Sequence, residues 1–252
     1  MKSPLSAFTQ LLFIFIINIL HHPIEAASSK TLPIKSKISL NSTKEIPIAK
    51  VPFKKPQEEK ITIVIDAGHG GDDFGTHSLG SPKYQEKYLN MSTALLVKSF
   101  LQKFGYKVLL TRTDDTFIPL DKRALFANDK NSRLFVSIHY NSAPNKDAEG
   151  IEIFFYRNQE CQQRSVQSKQ LAQYILDKII QNTNAKSRGV KHGNYAVLRE
   201  TKMPAVLIEG GFLTSTKEME KIKDPTYLKS LALGIAQGVQ NYLAKEKILA
   251  ER

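Results

Sequence analysis

The stretch from Thr62 to Gly71, "TIVIDAGHGG", begins as an unbroken apolar run and ends in an acid, small residues, a histidine and glycines. A run that is apolar along its length, without period-two alternation, predicts a strand covered on both faces. Three further runs share the pattern: "YKVLL" (106–110), "RLFVSI" (133–138) and "PAVLI" (204–208). Helical spacing fills the intervals, over about 86–104, 119–130, 165–183 and 225–244. Buried strands alternating with helices predict an α/β fold. It is expected as a single domain with a mostly parallel central sheet flanked by helices on both faces. "EGIEIFFYR" (149–157) alternates and is expected to face solvent or to run antiparallel at an edge, while "GVKHGNYAVLR" reads as a loop.

The 252 residues, 41% of them hydrophobic, suffice for one full-sized core. Residues 1–27 read as a signal peptide: a lysine, an apolar run from Leu11 to Leu20, then small residues. That run is about half the ~20 residues a spanning helix needs, so export with cleavage near Ala26 or Ala27 is expected over a permanent anchor. Residues 28–60 form a basic, proline-containing linker with eight lysines against three glutamates. A catalytic domain is expected over 61–243 and a tail over 244–252.

The net charge of +12 is therefore partly a property of the linker, which leaves +7 for the rest. Zinc-finger spacing and aromatic RNA-binding signatures are missing, as is tryptophan, so nucleic acid is not expected as a partner. An exported basic chain instead meets anionic envelope surfaces, which the linker is expected to touch weakly. Cys161 is the single cysteine and reads as an incidental surface thiol.

In a parallel α/β sheet the carboxyl ends of the strands line one rim, where ligands bind. His69 follows the first apolar run, His139 ends "LFVSIH", and Glu209 ends "AVLIE". Glu86 opens the first long helix, which descends from the same rim. Two imidazoles and one carboxylate make the ligand set of a hydrolytic zinc site, whose remaining position stays open for water. His69, Glu86 and His139 are thus candidate zinc ligands, and Glu209 suits a general base better than a fourth ligand. Asp66, three residues before His69, and Asn90, one turn beyond Glu86, are candidates to support the ligands. Arg123 and His192 are further candidates for the rim or the substrate. The glycines of "AGHGG" are expected to make a turn and to let a bulky substrate approach.

Seven segments, taken together and in order, resemble the zinc-dependent N-acetylmuramoyl-L-alanine amidases of bacterial cell-wall turnover. They are "IVIDAGHGGDDFGT", "EKYLN", "TRTDDTFIPLDKRALFAN", "FVSIHYNSAPN", "GIEIFFY", "RGVKHGNYAVLRETKMPAVLIEGGFLTS" and the final helix. The resemblance spans 61 to about 243. It implies hydrolysis of the amide between the lactyl group of N-acetylmuramic acid and the L-alanine of the stem peptide. It also implies His69, Glu86 and His139 as zinc ligands and Glu209 as the catalytic glutamate. A peptidoglycan substrate, a monomeric state and a periplasmic or cell-envelope location follow as expectations. Tyr140 stands where the family usually has a small residue, a change expected to bear on substrate choice. Two other functions fit such a fold: a catalytically silent wall-binding or regulatory protein, and a related zinc peptidase or deacetylase.

Overall fold

The structure, a computed structural model, describes residues 60–157 and 160–251. The expected signal peptide and nearly all of the linker lie outside the described residues. Six strands form one sheet: β1 (Thr62–Ala67), β2 (Lys107–Leu110), β3 (Leu134–Asn141), β4 (Ile151–Phe155), β5 (Ser187–His192) and β6 (Ala205–Phe212). The helices are α1 (Glu86–Lys103), α2 (Leu120–Asp129), α3 (Gln162–Thr183), α4 (Ala196–Arg199), α5 (Thr216–Ile222) and α6 (Pro225–Ala250).

The strand order is β2-β1-β3-β6-β4-β5, and every neighbouring pair is parallel except β4 with β6. The fold is therefore the α/β class the apolar runs imply, with a mixed but mostly parallel sheet. The alternating segment 149–157 does supply the antiparallel strand, but β4 is not at the edge. The edge belongs to β5, in a stretch that reads as a loop because its six residues, SRGVKH, carry one aliphatic. None of its residues is buried, which removes the apolar signal on which strand recognition depends.

Alternate residues of each strand point to opposite faces. Ile63 and Ile65 of β1, Val136 and Ile138 of β3, and Ile208 of β6 join the larger core beneath α1, α3 and α6. Val64, Phe135 and Leu207 face the smaller core with Ala127 of α2 and Val197 and Leu198 of α4. Burying each such side chain contributes about 1.5–3 kcal/mol. Helices thus cover both faces, unequally: three long ones on one, two short ones on the other.

Helix α6 begins at a strong local signal. Asp224 caps it by accepting from the Thr226 backbone N–H at 2.8 Å, and Pro225 occupies the first helical position. The helix continues to Ala250, past the end expected at about residue 244. It packs along α3 at Gly234 and Gly238, where a Cβ would come within 2.7 Å of Ile179 Cα and 2.4 Å of Ile175 Cα.

Candidate active site

Three elements bring three ligand-type side chains to one point on the rim. His69 follows β1, Glu86 is the first residue of α1, and His139 lies in β3. Nε2 of His69 is 3.0 Å from Glu86 Oε1, and Nδ1 of His139 is 2.9 Å from the same oxygen. One ligand atom from each residue falls within 4.8 Å of the others, and the imidazoles meet edge-on with centroids 4.8 Å apart. Among the described residues this is the group arranged to hold a metal ion.

The backbone at His69 is left-handed, with φ 60°. Histidine is among the non-glycine residues enriched there, and strain of this kind clusters at functional sites. The turn returns Asp73 to the imidazole, so that Nδ1 of His69 lies 2.8 Å from Asp73 Oδ2 while Nε2 faces Glu86. Burial disfavours the charged form of His69, but hydrogen bonds and charge from Glu86 and Asp73 outweigh it and raise its pKa. For Glu86 burial acts upward, yet the two imidazoles hold the carboxylate far below its usual range. Its Oε1 also accepts from the Tyr140 backbone N–H at 3.2 Å, and Oε2 accepts from Thr76 N–H at 2.9 Å.

The glycines here make room for the protein itself rather than for substrate. A Cβ on Gly68 would fall 2.2 Å from Nε2 of His139, and one on Gly75 would fall 2.5 Å from Glu86 Oε2 and 2.8 Å from His69 Nε2. Gly70 and Gly71 face the 116–117 backbone just as closely, at 2.3 Å from Thr116 O and 3.0 Å from Phe117 N.

Asp66 and Arg123 form a buried ion pair at 2.9 Å beneath this loop. Asp66 also accepts from Thr111 Oγ1 at 2.6 Å and Ser137 Oγ at 2.7 Å. Burial acts to raise its pKa, but Arg123 and these hydroxyls prevail and lower it. Arg123 donates to the carbonyls of Ala67 and His69, both at 2.9 Å. Arg112 donates to those of Ala67 and Gly68, at 2.8 and 2.9 Å. Asn90 donates to Gly68 O at 3.2 Å and, more weakly, to Glu86 Oε1 at 3.4 Å. Asp66, Asn90 and Arg123 therefore hold the loop that carries His69, and Asp66 acts through Arg123 rather than by touching an imidazole.

Glu209 stands directly across the β3–β6 ladder from His139. Its Oε2 is buried and has no hydrogen-bond partner among the described residues. Burial, then the negative charges of Glu86 and Glu152, push its pKa well up. A buried carboxyl oxygen without a protein partner costs about 1–3 kcal/mol or more unless solvent or a ligand meets it.

Two candidates lie elsewhere. His192 sits in register with Phe155, toward the other end of β4 from Glu152, and its Nδ1 accepts from the Arg157 N–H at 3.0 Å. It does not join the cluster. Tyr140 points into the core, where its hydroxyl lies 2.8 Å from Thr93 Oγ1. The size of that side chain is thus a packing matter on the face away from Glu209. Asp73 and Arg112 were not legible as site residues. The acid pair in "GGDDFGT" offers the one local hint of Asp73, and nothing local marks Arg112.

The site, two histidines and a glutamate suited to hold a metal ion with a separate carboxylate one strand away, is that of an amidase-type hydrolase. The chain is a member of the N-acetylmuramoyl-L-alanine amidase family, whose Amidase_3 model matches residues 63–241. The crystal structure of N-acetylmuramoyl-L-alanine amidase from Clostridium difficile 630 superposes with a TM-score of 0.69 at 40% identity. That match covers 74% of this chain and 98% of the other. The uncharacterized protein YqiI of Bacillus subtilis (strain 168) is 34% identical over 188 residues, 75% of this chain and 87% of its own. The probable cell wall amidase LytH of Staphylococcus aureus is 35% identical over 192 residues, 76% of this chain and 61% of LytH.

Proposed function

We propose that this chain is a zinc-dependent N-acetylmuramoyl-L-alanine amidase, exported to the cell envelope, that cleaves the amide between N-acetylmuramic acid and the L-alanine of the stem peptide. The reading is carried by one observation: the convergence of His69, Glu86 and His139, with the partnerless Glu209 Oε2 across the ladder from His139.

The donor set fits zinc. Two imidazole nitrogens and a carboxylate oxygen match a three-ligand catalytic site, and Asp73 on the other nitrogen of His69 fixes that ring's orientation. His69, Glu86 and His139 would hold the zinc ion, which would supply Lewis-acid polarisation of the scissile carbonyl and of the attacking water. The rest of the chemistry belongs to Glu209. Glu209, across the ladder from His139, takes a proton from the attacking water and returns it to the leaving alanine nitrogen.

Among the described residues, no helix is long and apolar enough to cross a membrane. The export assignment rests on the amino-terminal sequence, and family membership favours a peptidoglycan substrate. Metal analysis of the purified protein, followed by mass spectrometry of digested sacculi, tests the function. About one zinc per chain and release of intact stem peptides are expected. Cleavage within the stems, loss of acetyl groups, or no products would each refute it.

A further inference from the structure

The row of residues that carries His139 and Glu209 does not stop at Glu209. Glu152 is the antiparallel partner of Glu209 in β4, and Gly189 is the partner of Glu152 in β5. Directly opposed side chains lie about 4.5–5.5 Å apart at Cβ. Glu152 is buried and would repel any anion approaching Glu209, but two cations answer it. Arg188 Nε donates to Glu152 Oε2 at 3.1 Å, and Lys191 Nζ donates to the same oxygen. Asn141 Nδ2 donates to Oε1 at 2.7 Å. Burial alone would raise the pKa of Glu152; these two cations hold it below its usual value.

The anion is hidden and the cations are not. The Glu152 side chain is 6% exposed, against 35% for Arg188 and 41% for Lys191. Arg188 is held in place as well as paired. Its guanidinium lies 4.9 Å from the Phe212 ring centroid, and Nη1 reaches Glu149 O at 3.5 Å. That leaves Nη2 with no protein partner among the described residues. The nearby Glu149 carboxylate is taken by Lys217 at 2.9 Å and Lys186 at 3.4 Å. Lys186, Arg188, Lys191 and Lys217 thus surround the carboxylates of Glu149 and Glu152, with Asp147 and Glu218 also in electrostatic reach of Lys217. A Cβ on Gly189 would meet nothing within 4 Å, so the row ends in open space beside the two basic side chains.

We propose that Arg188 and Lys191 form a carboxylate-recognition edge of the active site, which takes a carboxylate on the peptide side of the scissile amide. The assignment rests on the muramoyl–alanine reading above. In such a substrate the one carboxyl group of N-acetylmuramic acid is consumed in the amide under attack. Any free carboxylate therefore belongs to the peptide, and these two cations, two strands from Glu209 across the sheet, are placed to receive it. The remaining guanidinium nitrogen, Nη2, and the neighbouring Lys191 ammonium offer charged N–H donors of the kind that a carboxylate accepts. Arg188 and Lys191 are thus specificity determinants, and Glu152 is the group that positions them.

Two synthetic N-acetylmuramoyl-L-alanyl dipeptides, identical except for a carboxylate or a carboxamide on the second residue, test this with the zinc-loaded full chain. The carboxylate substrate should be preferred by about tenfold or more in kcat/KM, chiefly through KM, the scale of a charge-assisted hydrogen bond. Arg188→Gln and Lys191→Met should each reduce that ratio towards one, and Lys191→Arg should retain most of it; circular dichroism checks that all three fold. Equal use of both substrates by the wild-type chain would overturn the inference alone, as would a preference that survives in both neutralised variants. Cleavage of neither substrate by the wild-type chain would overturn the amidase reading and this inference with it.

Discussion

Oδ2 of Asp73 lies 2.8 Å from Nδ1 of His69, while the other nitrogen of that imidazole faces Glu86. In the proposed zinc site the contact would leave Nε2 as the ligand nitrogen. Outer partners of this kind typically change metal affinity by 10–100-fold. Asp73→Ala should therefore weaken zinc binding by about that factor while leaving the chain folded, because the Asp73 side chain is partly exposed. Competition with a chelator of known affinity measures this. Unchanged affinity would remove Asp73 from the site.

Glu209 and His69 should fail in different ways. Glu209→Gln keeps the shape of the side chain and should keep the metal, but lose turnover by about 10² or more. His69→Ala should lose the metal itself. Zinc content and kcat/KM measured on the same preparations separate the two, and a fully active Glu209→Gln would show that the base lies elsewhere.

Gly68→Ala tests the idea that this loop is tight against the ligands. The added methyl would sit within 2.2 Å of the His139 ring, closer than atoms can approach. His139 should swing away from Glu86, with zinc affinity falling by at least tenfold, the scale of a disturbed ligand environment. Metal titration of the folded variant checks it.

The buried pair of Asp66 and Arg123 makes a stability prediction with a pH signature. Arg123→Met leaves Asp66 uncompensated and should cost about 3–5 kcal/mol in urea denaturation. Asp66 has its pKa lowered below 3.8 in the folded state. Its contribution to stability is therefore complete above about the unfolded value of ~3.9 and is lost as pH falls through the folded value. Asp66→Asn should be less stable than wild type near neutral pH, with the difference narrowing as pH drops below about 4. A gap that stayed constant from neutrality to pH 2 would contradict the assignment.

Gly238→Ala sets two opposing effects against each other. Alanine gains roughly 1 kcal/mol of helix propensity over glycine. The methyl would lie 2.4 Å from Ile175 Cα, a backbone atom that cannot move aside cheaply. Overpacking of this kind costs about 1–3 kcal/mol, and approach to backbone belongs at the upper end, so net destabilisation is expected. A raised thermal midpoint would show that α3 and α6 can separate without cost.

Much of this was legible along the chain because buried elements carry strong local signals. "TIVIDA" and "LFVSIH" contain unbroken apolar runs, Ile63–Ile65 and Leu134–Val136, since a central strand loses both faces to the core. Asp224 and Pro225 announce the start of α6 for equally local reasons, an orphan N–H to cap and a fixed φ. Strand β5 gave no such signal, because an edge strand with a solvated face can be built from arginine, lysine and glycine.

By itself, then, the sequence determined the buried strands, the long helices and the presence of His69, His139 and Glu209 in or just after apolar strand runs, because hydrophobic period is a property of neighbouring residues. Only the tertiary structure decided that Asp73 turns back onto His69, that Arg112 and Arg123 grip the same loop, and that Glu152 with its two cations extends the row beyond Glu209. Those contacts depend on a left-handed turn and on the register and direction of β4 and β5. Both are set when distant segments pack together, so no single stretch of chain encodes them.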